Sequence, residues 1–585
     1  MNKKDYKLVK TAADVQAAAD KLRGADFIGF DTETTGLDAH TSRLRLIQLA
    51  STEACFVIDC FALTPEDLRP ILEVLAAPAP VKTAHNAKFD TQFLLWHYGV
   101  RPGAIFDTMI ADQLISAGND EERHSLEAAV RRHLGWQLDK EAQRSDWSGE
   151  LNDGQLEYAA LDAMIVLALR EKHAGKLREM ELERVAQLEF DCVGAVAAME
   201  LTGVYLDADL WRAQIARVKE KHRAVAADLQ RQLASNAEQM SLFSVGAQIN
   251  LDSPQQVRDA LARLGIRVDD TREHRLQRMS KQYPVLAQLI EYRHLSKSLS
   301  SYGANFLEFI NAKTGRIHAN FRQVGTPSGR MTCSQPGLQQ IPHTAEYRSC
   351  FRAPAGRKLL IADYSQIEMR ILADFARDEA LLQAFVDGAD LHRTTASQML
   401  RVPLDEVTPK QREYAKHLNY GIIYGMGADG LSGMLEITID EAGKMIDRYF
   451  AAFPSVARWL KDASDRAVKE HSSRTASGRL WVYRFDTSVH EQLMALRRVA
   501  RNTPIQGTSS DILKRAIRLV DEALAGRDAQ LINSIHDELV VECNAGIAEE
   551  VAGLVSAAMV RAGRDFLERV PVVAETVIAN AWQKK

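Results

Sequence analysis

The sequence predicts a multidomain chain that mixes α/β and α+β architecture. Three observations carry the prediction. In the first part short apolar strands alternate with helices, the middle part is helical by periodicity, and in the last part strands and glycine turns return around a helical block. At 585 residues the chain has room for roughly three to five domains.

In the first part, 27–31, 44–49, 55–58 and 81–84 read as strands, and 89–98, 107–116 and 156–173 as helices. That order suggests a mixed sheet with flanking helices. A long amphipathic helix follows over 179–199 and stops at Leu201-Thr202-Gly203; 208–233 is a second helical stretch. The polar segment 235–250 reads as an exposed tip. Ser253-Pro254 opens another helix, with Ser as N-cap and Pro at the first position, and 287–310 is helical again. A helical arm with a polar tip suits covering a duplex; an ordinary helical domain has the same periodicity, and both readings stand. After Gly315 the clearest strands are 358–362 and 531–542, with a helical block over 381–471 between them.

The composition bounds the function. Charged residues make up 26% and the net charge is -5, which excludes a bulk basic coat for nucleic acid but leaves room for a local basic groove. The six cysteines form no C-x-x-C pair and no His cluster completes a zinc pattern with them, so reduced buried thiols are expected. No apolar run approaches the ~18 residues a membrane span needs, and the first ten residues lack a signal core. A cytoplasmic location, in a bacterial cell or a host cell, is the expectation.

Two groups of acids carry the chemistry. Asp31-Thr32-Glu33 ends the first strand and aims two carboxylates at one point, because residues two apart in a strand share a face. His85-Asn86-Ala87-Lys88-Phe89-Asp90 adds a third acid. Tyr158 and Asp162 lie four apart on one helical face and add a phenol and a fourth acid. Four acids and a tyrosine can hold two metal ions and orient a water against a phosphodiester.

The second group is more widely separated. An apolar strand delivers Asp363 at its end, and Ile535-His536-Asp537-Glu538-Leu539 reads as a hairpin with acids at its tip. Two such acids can share metals about 3.5–4 Å apart. Between them Thr408-Pro409-Lys410-Gln411 is a helix start with a capping box. Along that helix Arg412, Lys416, Tyr420 and Tyr424 recur every four residues, so two cations and two phenols follow one stripe that drifts only ~40° per step. Cations can hold a triphosphate and aromatic rings can stack on a base. Gly421 and Gly425 beside the rings permit close approach of another body, such as a base pair.

The first group, over about residues 25–170, resembles the three motifs of the DEDDy exonucleases, the ribonuclease H-like proofreading domains. The second resembles the family A DNA polymerases: Asp363-Tyr364-Ser365-Gln366-Ile367-Glu368 is similar to their motif A, Arg412 to Gly425 to motif B on the fingers helix, and His536-Asp537-Glu538 to motif C. Thr326-Pro327-Ser328-Gly329-Arg330, Leu338-Gln339-Gln340-Ile341-Pro342 and Asn502-Thr503-Pro504-Ile505-Gln506-Gly507 resemble the intervening primer- and template-contacting segments. The match covers about 185–585. It implies an exonuclease domain over 1–178 and a right-hand polymerase over 179–585, with a thumb about 208–310, a palm about 315–400 and 490–585, and fingers about 400–489.

The resemblance also implies roles. Asp31, Glu33, Asp90 and Asp162 would bind metals, Tyr158 would place the attacking water, and Leu37 and Asn86 would contact the terminal nucleotide. Asp363 and Asp537 would bind the polymerase metals, with Glu538 beside them. Arg412, Lys416, His392 and Arg348 would contact the triphosphate, with Gln366, Tyr420 and Tyr424 in the nucleotide site and Glu368 excluding ribonucleotides. Arg330, Gln339, Arg498, Asn502, Gln506 and His536 would contact DNA. Two Mg²⁺ ions per site, with Mn²⁺ as a substitute, are implied as cofactors. Primer-template DNA and dNTPs are implied as partners, with a processivity factor, helicase or single-strand binding protein as possible further ones; a monomer with no membrane contact is expected.

Gly337 and Gln340 stand where many members carry Asn, and the loop over 342–351 is shorter than usual. The chain begins at the exonuclease, without the separate 5′-nuclease of many bacterial repair enzymes, and this leans towards a phage replicative enzyme. Three rival readings fit the residues less well. A nuclease with a DNA-binding tail would lack Asp363 or Asp537; a non-catalytic scaffold has no use for six metal-type acids; an RNA polymerase would not carry Glu368 and a proofreading domain.

Overall fold

The computed structural model describes residues 6–119, 122–138, 145–234 and 249–583. Most of the polar tip expected at 235–250 lies outside them. The chain divides into two compact units: residues 1–204, 312–340 and 353–585 form one, and 205–311 with 341–352 form the other.

The first unit begins with a six-stranded mixed sheet. Its order is Lys7–Val9, Cys55–Asp59, Leu44–Ala50, Phe27–Thr34, Val81–Ala84, Ile105–Asp107, and Leu44–Ala50 runs antiparallel to both of its neighbours. The alternation read from the sequence is present, with two edge strands and a first helix (Ala12–Arg23) that three- or four-residue apolar signals do not reveal. The helix Asp153–Glu179 packs directly on the sheet. A Cβ at Gly29 would stand 1.8 Å from the carbonyl oxygen of Ala163, so glycine on the strand lets the helix backbone touch it. That contact lies one residue from Asp162 and two from Asp31, and it brings a helix acid to the strand acids.

The helix expected over 179–199 instead runs Glu183–Thr202, because the preceding one continues to Glu179 and the turn at 180–182 separates them. It ends at Gly203, as expected. The second sheet is antiparallel, ordered Ala529–Ile535, Glu538–Asn544, Arg357–Tyr364, Ala574–Ala579. Asp363 pairs with Glu538 on one side and Glu575 on the other. The helical block between the strands is observed as six helices from Glu379 to Glu470.

The second unit is helical: Ala208–Ala234, Pro254–Arg263, Glu273–Met279 and Pro284–Tyr302. Ser253 caps its helix through the Gln256 amide with Pro254 at the first position, as the sequence signals. The last helix breaks at Gly303 and continues as a 3-10 turn, Ala304–Phe309, so the single helix expected over 287–310 is two elements. Its core is Leu229, Leu233, Val257, Leu261, Leu286 and Leu289. Trp211 stacks on Phe306 at 4.7 Å and meets Tyr347 edge-on at 5.6 Å, which ties 341–352 to the unit. All six cysteines are free. No helix of the described residues is long and apolar enough to cross a membrane.

Candidate active sites

The first site forms on the six-stranded sheet. Carboxylate oxygens of Asp31, Glu33 and Asp162 lie within 4.8 Å of one another. The fourth acid, Asp90, stands slightly apart: its Oδ1 accepts a 2.6 Å bond from the Thr32 hydroxyl. It is nonetheless the strongest charge acting on Asp31.

The acids disturb one another as expected for like charges in a poorly solvated place. Burial, then the Asp90 charge, pushes Asp31 well above the usual carboxylate range, and burial, then Asp162, does the same for Glu33. Burial raises Asp90 to about 7 and Asp162 to about 6. The Tyr158 hydroxyl bonds to Asp162, and burial together with that carboxylate holds it far above the usual phenol value. A cluster this short of positive charge fits hard divalent cations bound through oxygen.

A pH signature follows. Acids raised in the folded state stabilise it below their unfolded values near 4 and lose that stability as pH rises through 6–7 and beyond. The Tm gain on adding Mg²⁺ to chelator-treated protein is therefore larger at pH 8 than at pH 6, and Asp31→Asn with Glu33→Gln flattens the difference. Equal gains at both pH values, read by scanning calorimetry, would overturn this account.

Asn86 adopts φ 66° at the start of the helix Ala87–Tyr98. Asp107 holds it there: its Oδ1 accepts from the Asn86 amide at 3.1 Å and its Oδ2 from the Ala87 amide at 2.8 Å, while Oδ1 also caps the next helix. The sequence reading missed Asp107, although an acid just before a helix is a cap signal. Leu37 is 87% exposed. With Asn86, Phe89, Met109 and Arg322 it lines a cleft of about 460 Å³.

The second site lies at the end of the antiparallel sheet. Asp537 sits in the turn between Ile535 and Glu538, where His536 takes φ 55°. Its carbonyl accepts from the Tyr364 amide at 3.4 Å, next to Asp363. Burial, then the charges of Asp537, Glu368 and Asp363, raises the Tyr420 hydroxyl, so all three acids act electrostatically on one phenol. Glu538 differs from expectation. The hairpin carries only Asp537 at its tip, while Glu538 is buried and its Oε1 accepts from Trp582 Nε1 at 2.6 Å. Trp582 was not foreseen.

A cleft of about 370 Å³ opens over these residues. Tyr420, Tyr424, Glu368, Asp537, His536, Arg330, Gln339 and Gln366 are among the residues that line it. The Glu368 carboxylate is bridged, with Arg330 donating to Oε1 at 2.7 Å and the Tyr424 hydroxyl to Oε2 at 2.8 Å. Gln366 holds φ 56° at the start of the helix Ile367–Ala376. Gln339 donates to the Ser534 carbonyl at 3.3 Å.

The helix Pro409–Ile423 begins with the expected Thr408 capping box, and Tyr424 caps its end. Arg412 is paired with Asp390 at 2.6 Å and Lys416 is exposed on the same stripe. His392 is buried and accepts at Nδ1 from the Asn419 amide at 3.0 Å, which places the ring proton on Nε2. Burial holds this histidine down to about 4 despite Asp390. Asn419, fully buried and also bonded to Thr395, was not foreseen.

The two glycines beside the rings serve internal packing rather than a foreign body. Met426 approaches Gly421, and Arg498 approaches Gly425, which has φ 68°. Gln506 accepts from Ser328 at 2.9 Å. Asn502 Nδ2 is buried without a partner among the described residues. Arg348 belongs to the second unit, buried at the end of the helix Ala345–Arg348.

Beneath Arg330 lies a wholly buried charged group that the sequence did not suggest. Arg479 Nη2 donates to Glu189 at 2.5 Å and to Asp511 at 2.7 Å, and Lys514 pairs with Glu189. Lys514 also donates to the Gly329 carbonyl at 2.6 Å, joined there by Ser510 at 2.7 Å. Burial alone would raise Glu189, but Lys514 and Arg479 outweigh it and hold the carboxyl below its ordinary value.

Known proteins resemble the chain over nearly its whole length. The family model described as DNA polymerase family A matches residues 219–584, and one described as 3′-5′ exonuclease matches residues 6–178. DNA polymerase I of Aquifex aeolicus is 33% identical, over 99% of this chain and 100% of its own length. DNA polymerase I of Pseudomonas aeruginosa is 34% identical over 99% of this chain and 66% of its own length. Among solved structures, the POL domain of Pol1 from M. smegmatis, in complex with DNA primer-template and dNTP, aligns with TM-score 0.85 and 28% identity, covering 98% of this chain and 99% of that one.

Proposed function

Because this chain belongs to DNA polymerase family A and carries a 3′–5′ exonuclease, so that it synthesises DNA and proofreads it, we propose that the two acid groups divide those tasks. Asp363 and Asp537 serve synthesis; Asp31, Glu33, Asp90 and Asp162 serve excision. The observation that supports this division is the meeting of Asp537, Glu368, Tyr420 and Tyr424 in one cleft, beside the end of the strand that carries Asp363.

The carboxylate oxygens at both sites suit Mg²⁺, which would lower the pKa of an attacking oxygen and neutralise charge on a leaving one. Primer-template DNA and a dNTP fill the cleft lined by Glu368, Tyr420 and Asp537. The primer 3′-oxygen forms a bond to the α-phosphorus, and the bond from that phosphorus to the bridging oxygen breaks, releasing pyrophosphate. Lys416, Arg412 and the Nε2 proton of His392 offset charge on the phosphates. Arg412 must leave Asp390 to do so. Glu368 fills the space of a ribose 2′-hydroxyl, held there by Arg330 and Tyr424.

In the other cleft Leu37 and Asn86 hold the terminal nucleotide and Tyr158 orients the water that attacks the last phosphodiester. A mispaired end frays and reaches this site more often than a paired one.

A 5′-labelled primer with a mismatched 3′ end, incubated with template, Mg²⁺ and four dNTPs, is trimmed and then fully extended on a gel. Trimming without extension would sink the synthetic assignment; extension that retains the mismatch would sink the excision assignment. Tyr420→Phe lowers incorporation of dideoxynucleotides relative to dNTPs by roughly 10–100-fold, the scale of one hydrogen bond to a charged group. The check is competition between ddTTP and dTTP, where an unchanged ratio would remove the hydroxyl from that role.

A further inference from the structure

Away from both acid groups, a histidine cluster is buried among three helices of the first unit. Asp112 comes from Thr108–Ile115, His133 from Leu126–Leu134 and His173 from Asp153–Glu179. Asp112 is 1% exposed and His173 fully buried. His133 Nε2 lies 2.6 Å from Asp112 Oδ1, His173 Nε2 lies 3.9 Å from the same oxygen, and His124 Nδ1 lies 2.7 Å from Oδ2. One ligand atom from each of Asp112, His133 and His173 falls within 4.8 Å of the others.

His173 is the telling member. Neither of its ring nitrogens has a hydrogen-bond partner among the described residues. Burying an imidazole with both nitrogens unbonded is costly, and such a group calls for water or an ion. A separation of 3.9 Å is too long for a hydrogen bond. It fits two ligands of one zinc, each about 2.0–2.2 Å from the ion and therefore roughly 3–4 Å apart. His133 would have to draw back by roughly half an ångström to take the same geometry.

Arg132 bonds both Asp112 oxygens, at 2.6 and 2.9 Å, and competes with a cation there. A second anion is already within its reach, since its Nε lies 3.3 Å from Glu122. It can turn to Glu122 when Asp112 takes an ion.

We propose that Asp112, His133 and His173, with His124 completing the set, form a structural site for one zinc-type divalent cation that ties the three helices together. Imidazole ligands select zinc-type ions over Mg²⁺, so this site is chemically distinct from the acid groups. Its ligands stand at 112, 124, 133 and 173, a spacing that no sequence pattern for zinc captures.

The test uses the full chain carrying Asp31→Ala and Asp162→Ala, stripped with a chelator and titrated with Co²⁺ in excess Mg²⁺, which keeps carboxylate sites filled. One equivalent of Co²⁺ is expected to give the visible absorption of a tetrahedral, nitrogen-ligated ion. One equivalent of Zn²⁺ is expected to abolish it and raise Tm. His173→Leu and His133→Gln should each lose the band and the Tm gain while keeping the parent's metal-free circular dichroism. No band in the parent would overturn the proposal whatever the variants do, and so would a band that survives in either folded variant.

Discussion

Replacing Asp363 or Asp537 by asparagine lowers single-nucleotide incorporation by at least about 10²–10³-fold, the scale on which one preorganised electrostatic group acts in a transition state. Asparagine keeps the volume and removes the charge that a divalent cation needs. Asp363 lies on one strand and Asp537 in the turn just before its neighbour, joined by the register of Asp363 on Glu538, so either loss leaves the other correctly placed. Removing both therefore costs little more than removing one, because groups that act as a unit are not additive. Trimming of a mispaired end continues at the parental rate, since its acids lie on the other sheet and on two helices beside it. Rapid-quench incorporation within tenfold of the parent in either variant would remove that acid from the reaction.

The second large effect is on stability. Lys514→Met costs about 3–5 kcal/mol, the usual penalty for removing one partner of a buried ion pair. Glu189 keeps Arg479, which favours the lower end of that range. The Gly329 carbonyl loses its Nζ donor and keeps Ser510. Changing Glu189→Leu as well should recover part of the loss, because an apolar pair leaves no unpaired charge. Urea melts of the parent, both single variants and the double variant measure the cycle. A Lys514→Met loss below about 1 kcal/mol, the size of an ordinary surface change, would show that the pair is not needed for folding.

The parts of this molecule that follow local rules were legible in the sequence. Thr408-Pro409 and Ser253-Pro254 announced two helix starts, and Gly203 announced a stop, because capping depends on residues within one turn. The metal-type acids were legible for a similar reason: strand periodicity pairs Asp31 with Glu33, and helix periodicity pairs Tyr158 with Asp162. What the sequence hid is what distant segments do to one another. Glu189, Arg479 and Lys514 look like three solvated charges until the fold buries them together. Trp582 is 44 residues from Glu538 and nothing local predicts their bond. Gly421 and Gly425 were read as room for a base pair, whereas Met426 and Arg498 of the same chain take that room.

The sheet that carries Asp363 draws its strands from 357–364, 529–544 and 574–579, and its middle pair stays open-edged until the last of these joins. The four acids proposed for excision are all present by residue 162, and the last buried residue of the main core beside them is Val193. Domains fold as they leave the ribosome, the N-terminal one first. If the part that holds these acids folds first, the growing chain can trim primer ends before it can extend them. A messenger cut short, or a ribosome stalled in the fingers segment, releases an eraser without a pen. A cell that makes this protein gains from clearing such fragments quickly, and the exposed edge of the unfinished sheet marks them for it.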